Sequence, residues 1–336
     1  MGMKIAILTP TFNYHSGIDR VVQQQAEDYA RKGSKVTVIA LEADIKPKGY
    51  SIDIIGTPKN PTLQRLHRLL FFLDFGKMQY YKKLADYDIV ISHFYPMNWL
   101  AYKAKKHFKV KYIYFNHGIN TEETGSQLQK IYMKIFSFFN SMTLKNTDEV
   151  FSVSKYLQQI LKKESGIDSK VAYNKIDTKK FNPKVSGDNI RKKYNLHGKK
   201  VLLYVGRIAP HKGVHLLIEV FKTIKSKIPG AVLLIVGKPT FSNYFNKLKK
   251  TAGDGVIFAG VVNDNDLPNH YAACDVYATA SLWEGFDLPV AEAQACGKRV
   301  VAFNIGSHPE IIKKGILVEK GDVGKLAEAA IRALSC

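Results

Sequence analysis

Cysteine is nearly absent from this chain, and long apolar stretches are absent altogether. Among its 336 residues the cysteines are Cys274, Cys296 and Cys336, too few and too scattered for a disulfide framework or a metal site. No run reaches the roughly 18 uninterrupted apolar positions expected of a membrane-spanning helix. The first residues, MGMKIAILTP, pass directly into a strand-like segment without a visible secretory signal. We therefore expect a protein of a reducing, cytoplasmic compartment.

Internal repeats and low-complexity segments are also missing. A length of 336 residues is long for one hydrophobic core and comfortable for two. Hydrophobic residues make up 46% of the chain, which is typical of soluble globular proteins. The sequence therefore predicts two globular domains.

Acidic residues are scarce relative to basic ones, and unevenly so. The formal net charge is +21; residues 1–200 carry 34 Lys and Arg against 17 Asp and Glu, whereas residues 201–336 carry 16 against 12. A basic first half predicts an acidic partner, such as anionic lipid, nucleic acid or an acidic substrate. Charge that serves solubility alone explains the same composition.

Strand-like apolar runs alternate with segments of helical periodicity along the whole chain. The strands expected in a first sheet are Lys4–Thr9, Val36–Ala40, Ile89–Ser92, Lys111–Asn116, Glu149–Ser152 and Val171–Asn174. Those expected in a second sheet are Lys200–Val205, Ala231–Val236, Val256–Ala259, Val276–Thr279, Arg299–Phe303 and Ile316–Val318. This alternation predicts two parallel, doubly wound α/β sheets. Ligands of such sheets bind beyond the carboxyl ends of the strands, and two domains facing each other would form a cleft.

The boundary between the two domains is expected in a polar stretch between residues 176 and 199, which contains Pro183 and Gly187. We place the first domain at residues 1–178 and the second at residues 179–336.

The most informative stretch runs from Glu284 to Glu292, with the sequence EGFDLPVAE. Gly285 loosens the backbone, and Pro289 suits the first turn of a helix. The N-terminus of such a helix attracts anions, because its backbone N–H groups point outward. The expected donors are the N–H groups of Phe286, Asp287 and Leu288. One anion-binding helix end flanked by two carboxylates suits a sugar attached to a diphosphate.

This spacing resembles the E-x7-E signature of the retaining family-4 glycosyltransferases, and the resemblance extends from Glu284 to Ile312. The family has the GT-B fold, in which two Rossmann-like domains face each other across a cleft. The resemblance implies that Glu292 binds the ribose hydroxyls of a nucleotide sugar and Glu284 the transferred hexose. It also implies an acceptor-binding first domain, a donor-binding second domain and retention of anomeric configuration.

A Gly-Arg-x4-Lys-Gly element, from Gly206 to Gly213, follows the first strand expected in the second domain. It resembles the family's phosphate-binding loop. Arg207 offers a planar fork to a phosphate, and Lys212 offers a point charge. Both cations would stabilise the departing nucleoside diphosphate.

The first domain resembles the family at two further places. Between the first strand and helix the family has two glycines near the donor phosphate; Gly17 matches the second, and Ser16 stands at the first. His117, after the strand ending at Asn116, resembles a histidine that hydrogen-bonds the donor sugar. His93, which ends the preceding strand, is a candidate for the acceptor pocket.

The nucleotide base is expected beside the loop after the third strand of the second domain, with backbone groups around Val262 as its partners. Asp264 and Asp266 form an Asp-x-Asp pattern, which other glycosyltransferases use to bind metal. They precede an expected helix, Leu267–Ala273, and suit its cap better. Because Arg207 and Lys212 supply positive charge, we expect no metal and no cofactor, with a UDP- or GDP-hexose as co-substrate.

Three departures from the family stand out. Asp287 occupies a position where the family usually has glycine, and its carboxylate either contacts a donor hydroxyl or caps the helix that follows. In the domain crossover Lys175 replaces a glycine, although Asn174, Asp177, Phe181 and Pro183 match the family. The family's last helix crosses back onto the first domain, whereas this chain stops at Cys336; either the sequence is truncated or the crossover is absent, and hinge control would be weakened accordingly.

Two segments of the first domain, residues 61–83 and 130–139, combine lysine and arginine with leucine and phenylalanine. A basic, aromatic-rich helix can lie in a membrane interface. The same pattern fits a helix packed on the sheet with a solvated basic side. An anionic membrane surface is therefore one of two open expectations for these segments.

The sequence favours a retaining, metal-independent glycosyltransferase that moves a hexosyl unit to a lipid-linked glycan, glycolipid or polysaccharide. It would be cytoplasmic or peripheral on the cytoplasmic membrane face, and it would not bind nucleic acid. The alternatives are a sugar-nucleotide 2-epimerase of the same fold and a non-catalytic protein that binds nucleotide sugar or lipid. The Gly-Arg-x4-Lys-Gly element argues against the epimerase.

Overall fold

The computed structural model describes residues 2–13, 17–119 and 127–335. The chain forms two compact units, Met1–Tyr173 and Asn174–Cys336. The first unit thus ends a few residues before the boundary expected from the sequence.

The first unit is built on one parallel sheet of seven strands. In chain order the strands are β1 (Lys4–Phe12), β2 (Lys35–Ala43), β3 (Ser51–Ile54), β4 (Ile89–Ser92), β5 (Lys111–Asn116), β6 (Glu149–Ser152) and β7 (Lys170–Val171). Their order across the sheet is β3-β2-β1-β4-β5-β6-β7, and all neighbours are parallel. The strand order reverses between β1 and β4, which creates a crevice at the carboxyl ends of these strands.

Helices cover both faces of this sheet. They are α1 (Gly17–Arg31), α2 (Pro61–Leu69), α3 (Phe75–Met78), α4 (Asn98–His107), α5 (Gln127–Leu144) and α6 (Lys155–Ser165). Along β1, Ile5 and Ile7 join the core under α1, whereas Ala6 and Leu8 join the core under α4. This alternation follows from the two-residue period of a strand, and it explains why β1 is apolar on both faces.

The second unit has a parallel sheet of six strands. They are β8 (Val201–Val205), β9 (Val232–Val236), β10 (Val256–Gly260), β11 (Val276–Thr279), β12 (Arg299–Phe303) and β13 (Gly315–Val318). Their order is β10-β9-β8-β11-β12-β13, again with parallel neighbours throughout. The reversal of strand order falls between β8 and β11.

The helices of the second unit also pack on both faces of its sheet. They are α7 (Asp188–Lys193), α8 (Val214–Lys227), α9 (Ser242–Thr251), α10 (Leu267–Ala273), α11 (Leu288–Ala295), α12 (His308–Ile311) and α13 (Val323–Ser335). Every residue of β8 (VLLYV) and β9 (VLLIV) is buried, as expected of central strands in a covered parallel sheet. Residues Leu202 and Tyr204 pack under α8 and α13, and Leu203 packs under α10 and α11.

Twelve of these strands lie where the sequence predicted them, with ends that shift by up to a few residues. β3 was not predicted. Residues 61–83 form α2, α3 and short 3-10 turns rather than one helix. Within the described part of the chain, no helix is both long enough and apolar enough to cross a membrane.

Candidate functional site

The loops that follow β8 and β11 meet where the strand order of the second sheet reverses. Leu202 of β8 pairs with Val276 of β11, so both strands send their carboxyl ends to the same edge. The loop after β8 carries Arg207 and Lys212, and the loop after β11 carries Glu284. The backbone N–H of Leu282 donates to the carbonyl of His211 over 2.9 Å and ties the two loops together. This is the edge at which open α/β sheets bind ligands.

Local packing fixes the loop after β8. The hydroxyl of the buried Tyr204 donates to the carbonyl of Arg207 over 3.0 Å. A 3-10 turn, Pro210–Lys212, is followed by Gly213, which has a φ of +61° and is the N-cap residue of α8. A Cβ atom at Gly213 would lie 1.8 Å from the carbonyl oxygen of Ala280. Only glycine therefore allows this loop to approach the end of β11 so closely.

Lys212 and Glu284, both singled out in the sequence, form a direct ion pair. The Lys212 Nζ lies 2.5 Å from Glu284 Oε1, and the Glu284 side chain is 6% exposed. Burial and the neighbouring charge of Asp287 raise the pKa of Glu284, while Lys212 opposes them. The backbone at Gly306 lies close to the backbone of Glu284. Only glycine allows this approach, because a Cβ at position 306 would lie 2.2 Å from the Glu284 carbonyl oxygen.

Arg207 lies on the same loop but is exposed. Its guanidinium makes no hydrogen bond or ion pair with any residue that the structure describes. Burial, together with the positive charges of Lys212 and Arg207, lowers the pKa of His211 to about 3. His211 is therefore neutral at physiological pH, and the loop is electropositive and suited to an anion.

The predicted helix N-terminus exists: α11 begins at Leu288, with Asp287 at its N-cap position and Pro289 in its first turn. The N–H groups of the first turn of a helix have no partner within that helix. Phe286, just before it, is partly buried, and Leu288 is buried. The sequence thus located correctly the helix end that it proposed as an anion site.

The side chain of Asp287 has a partner that the sequence did not predict, and its contact with a donor hydroxyl stays a prediction. It makes no capping hydrogen bond, and its Oδ2 lies 3.2 Å from Nε2 of His308, at the start of α12. Burial raises the pKa of Asp287, but the hydrogen bond with His308 and the charges of Lys212 and His308 outweigh burial, so the pKa lies below 3.8.

His308 is the component of this cluster that sequence reasoning missed. Its side chain is 0% exposed, and its Nδ1 lies 2.7 Å from the carbonyl oxygen of Phe303. Since both ring nitrogens face oxygen acceptors, both carry protons and the ring is an imidazolium. Burial lowers the pKa of His308, but Asp287 outweighs burial and the net pKa lies above 6.5. The available signal was the aspartate at position 287, which needs a buried partner.

Glu292 lies inside α11, where it is 3% exposed. The hydroxyl of Tyr271, in α10, donates to its Oε2 over 2.8 Å. A buried carboxylate fixed by a tyrosine is positioned to accept further hydrogen bonds. Its assignment to the ribose stays a prediction.

The loop after β10 carries Val262, partly buried at the same edge of the sheet. Asp264 forms an ion pair with Lys180, and Asp266 occupies the N-cap position of α10 without a side-chain capping bond. Asp266 thus occupies the expected N-cap position, but its side chain does not make the expected capping hydrogen bond. Among the described residues no group of three His, Cys, Asp or Glu is arranged to hold a metal ion.

In the first unit, His117 follows β5 and belongs to a chain of three side chains. His93 Nε2 lies 2.7 Å from Gln25 Oε1, and His93 Nδ1 lies 2.9 Å from His117 Nε2. Because the Gln25 oxygen can only accept, His93 is protonated at Nε2, and His117 must donate from its own Nε2. The Nδ1 lone pair of His117 therefore remains as an acceptor.

Burial lowers the pKa of His117 to about 4, and burial with the neighbouring His117 holds the pKa of His93 well below 6.5. Both rings are thus neutral at physiological pH. His93 is 0% exposed and stacks on Phe115, so it supports His117 and does not line a pocket as the sequence suggested.

Gly17, the remaining predicted residue, is the first residue of α1. Ser16 lies outside the described residues. The carboxylate of the buried Asp19 accepts from the Thr11 hydroxyl over 3.1 Å and from the Asn13 N–H over 2.9 Å. These bonds tie the end of β1 to the first turn of α1.

Two families match the sequence and together span most of it. Residues 15–180 match "Glycosyltransferase Family 4", and residues 186–336 match "Glycosyl transferases group 1". Each matched segment is similar to a glycosyltransferase domain, and the predicted fold of two Rossmann-like α/β domains is confirmed.

Among curated relatives, a GDP-mannose-dependent alpha-(1-6)-phosphatidylinositol monomannoside mannosyltransferase of Mycobacterium tuberculosis is 30% identical over 203 residues. These residues cover 56% of this chain and 53% of that protein, about half its length. A UDP-Gal:alpha-D-GlcNAc-diphosphoundecaprenol alpha-1,3-galactosyltransferase of Escherichia coli is 28% identical over 335 residues, covering 94% of this chain and 84% of that protein.

Among solved structures, HepE of Anabaena in complex with UDP and glucose superimposes with a TM-score of 0.81. It is 20% identical, and the match covers 99% of this chain and 90% of that chain. At this identity the likeness establishes the fold.

Proposed function

We propose that this protein is a retaining glycosyltransferase that moves a hexosyl unit from a UDP- or GDP-sugar to a lipid-linked glycan, a glycolipid or a polysaccharide. The carrying observation is the buried Lys212–Glu284 ion pair beside the N-terminus of α11, together with Arg207, whose guanidinium pairs with no residue in the described part of the chain. A nucleotide sugar carries a diphosphate and hydroxyls, which require cations and carboxylates respectively.

Arg207 and Lys212 would hold the diphosphate, since a guanidinium forms two parallel hydrogen bonds to phosphate and an ammonium adds a compact charge. Negative charge grows on the phosphate that leaves, so cations fixed beforehand stabilise the transition state more than the bound donor. The N–H groups at the start of α11, at Phe286, Asp287 and Leu288, would add partial positive charge on the same side.

Glu284 and Glu292 would accept hydrogen bonds from hydroxyl groups of the donor, Glu284 from the hexose and Glu292 from the ribose. Backbone groups around Val262 would bind the base. In the first unit, Gly17 would let the backbone approach the donor phosphate, and His117 would accept a hydrogen bond from the sugar at its Nδ1.

For the mechanism, we infer that the acceptor hydroxyl attacks on the face from which the diphosphate departs, with the leaving phosphate taking its proton. This route retains the anomeric configuration without a covalent intermediate. It needs no metal, because Arg207 and Lys212 carry the charge that a metal would supply.

The choice of donor and acceptor rests on the relatives. The mycobacterial protein is named for GDP-mannose and a phosphatidylinositol mannoside, and the E. coli protein for UDP-galactose and a diphosphoundecaprenol-linked sugar. Both acceptors are anionic lipids that carry a sugar, and the +17 charge of residues 1–200 suits them. We therefore favour a lipid-linked acceptor at a membrane surface.

The experiment is a donor screen. The protein is incubated with UDP-glucose, UDP-N-acetylglucosamine, UDP-galactose and GDP-mannose, and the released nucleoside diphosphate is quantified. We expect slow hydrolysis of one donor, insensitive to EDTA and abolished in Glu292→Ala. An inverted linkage in the NMR spectrum of the transfer product, or activity that needs Mn²⁺, would refute the corresponding part of the proposal.

A further inference from the structure

Helix α5 exposes a stripe of large apolar side chains. The stripe consists of Leu128 (81% exposed), Ile131 (54%), Ile135 (41%), Phe138 (63%) and Met142 (41%). Their spacing of three and four residues puts them on one face of the helix. A face this apolar is expected against a core, but here it lies at the surface of the first unit.

The opposite face of α5 is anchored in the unit. Phe136, Asn140, Thr143 and Leu144 are buried, and Asn98 of α4 donates to Asn140 Oδ1 over 2.8 Å and to Thr143 Oγ1 over 2.7 Å. This polar contact fixes the rotation of the helix. The apolar stripe therefore cannot turn inward without breaking buried hydrogen bonds.

Residues 61–75 add to the same surface. Leu63, Leu66, Leu73 and Phe75 are 52% to 72% exposed. The Tyr132 hydroxyl of α5 donates to the Arg65 carbonyl of α2 over 3.2 Å. The two segments are therefore in contact, and they hold nine of the fourteen large apolar side chains that are strongly exposed in the described parts of the chain.

The charge around this surface has one sign. Helix α5 contains Lys130 and Lys134 and no acidic residue, and residues 61–83 contain five Lys and Arg against one Asp. That aspartate, Asp74, is paired with Lys77 over 3.0 Å. Arg65 and Lys134 are exposed.

We propose that this surface, formed by α5 and residues 61–75, docks the first unit onto a lipid bilayer that contains anionic lipids. A bilayer interface takes up exposed apolar side chains and attracts the surrounding cations at the same time. A second copy of the chain would bring two cationic surfaces together, and like charges would repel. An acidic protein partner would neutralise the lysines, but its charge would not account for an apolar stripe that runs the length of α5.

The proposal goes beyond the proposed transfer reaction and does not depend on it. It is tested by sedimentation of the full chain with vesicles of phosphatidylcholine alone or with phosphatidylglycerol. We expect binding to the anionic vesicles that weakens as salt rises from about 0.05 to 0.5 M, because the ionic atmosphere then screens the cations.

The test variant is Ile131→Ser/Phe138→Ser, which changes two exposed positions and leaves the buried face intact. We expect its partition into anionic vesicles to fall by about 10-fold or more, from the loss of apolar area. Its matched control is Phe241→Ser, which removes an exposed aromatic side chain of the second unit (39% exposed) and should bind as the wild type does. Equal binding by both variants would overturn the proposal.

Phe138→Trp supplies a second readout. We expect its added fluorescence to be quenched by lipids brominated on the acyl chains, because residue 138 enters the interface. Absence of quenching with bound protein would contradict the assignment of this face. So would lipid-free self-association that the double variant abolishes, since the surface would then serve a second copy of the chain.

Discussion

His308 and Asp287, which lie 21 residues apart in the sequence, form an ion pair of 3.2 Å between two almost fully buried side chains. His308 is fixed by its second hydrogen bond, to the carbonyl of Phe303. Asp287 in turn sits at the N-cap position of α11, beside the Lys212–Glu284 pair. The ion pair therefore connects the start of α12 with the helix end at the centre of the proposed donor site.

The first prediction concerns the pH dependence of stability. The pKa of His308 is raised above 6.5, so its contribution to stability is complete below 6.5 and is lost as the pH rises through the raised value. The pKa of Asp287 is lowered below 3.8, so its contribution is complete above 3.8 and is lost as the pH falls through the lowered value. The pair thus stabilises the fold fully between those two limits.

His308→Gln should therefore cost about 3 kcal/mol at pH values inside this window, because it leaves the Asp287 carboxylate buried without its partner. The difference in unfolding free energy between wild type and variant should shrink as the pH rises through the raised pKa of His308. Chemical denaturation at a series of pH values inside and above the window measures it. A pH-independent difference would show that the pair is not ionised.

The second prediction concerns Gly213. Gly213→Ala adds a Cβ that would lie 1.8 Å from the Ala280 carbonyl oxygen, so the loop with Lys212 must move. We expect a loss of several kcal/mol, above the roughly 1 kcal/mol of left-handed strain alone. Gly198→Ala is the matched control, with a φ of +72° but no atom near the new Cβ. Equal destabilisation of the two variants would contradict the close approach.

The third prediction separates function from stability at Glu284. Because its pKa is raised above 4.5, ionisation of Glu284 costs folding stability once the pH exceeds 4.5. Glu284→Gln removes that cost, so its melting temperature near neutral pH should equal or exceed that of the wild type. Donor turnover should fall by about 10- to 100-fold, since a hydrogen bond to a charged group is lost.

Glu328→Gln, at an exposed position on α13, is the control and should change neither property. A destabilised Glu284→Gln that keeps its turnover would mean that the buried pair with Lys212 is structural.

The fourth prediction concerns the tautomers of His93 and His117. Both should be neutral and protonated at Nε2 at about pH 6, as ¹⁵N NMR of the imidazole nitrogens reports. His93→Phe removes the nitrogen that accepts the hydrogen bond from His117, so His117 should no longer be held in the tautomer protonated at Nε2. We expect turnover to fall by about 10-fold. His93→Gln, whose carbonyl oxygen can accept the same bond, should lose less. His93 then acts as a positioning residue.

Most of the sheet architecture is readable from the sequence because central parallel strands are continuous apolar runs. β8 and β9 illustrate this, since each is five apolar or aromatic residues long. The sequence did not predict β3 (SIDI), because it is a four-residue edge strand with polar residues at alternate positions. Residues 61–83 have a helical composition, but turns near Leu70 and Asp74 divide them.

The site was only partly readable. Lys212, Glu284 and the start of α11 follow from short motifs, because each motif carries its own strand, loop and helix. No local sequence pattern shows which residues of distant loops come into contact. His308 contacts Asp287, and His93 contacts His117, because each sheet brings the ends of its strands together. Their protonation states depend on burial, which no local pattern encodes.

The most direct test of the proposed donor site is calorimetric titration of the protein with UDP and with GDP. We predict that one nucleotide binds, and that Arg207→Ala weakens this binding by about 10- to 100-fold through loss of a charge-assisted hydrogen bond. Arg332→Ala, which removes an exposed arginine of α13, should leave it unchanged. Absence of binding to either nucleotide, or wild-type affinity in Arg207→Ala, would contradict the account.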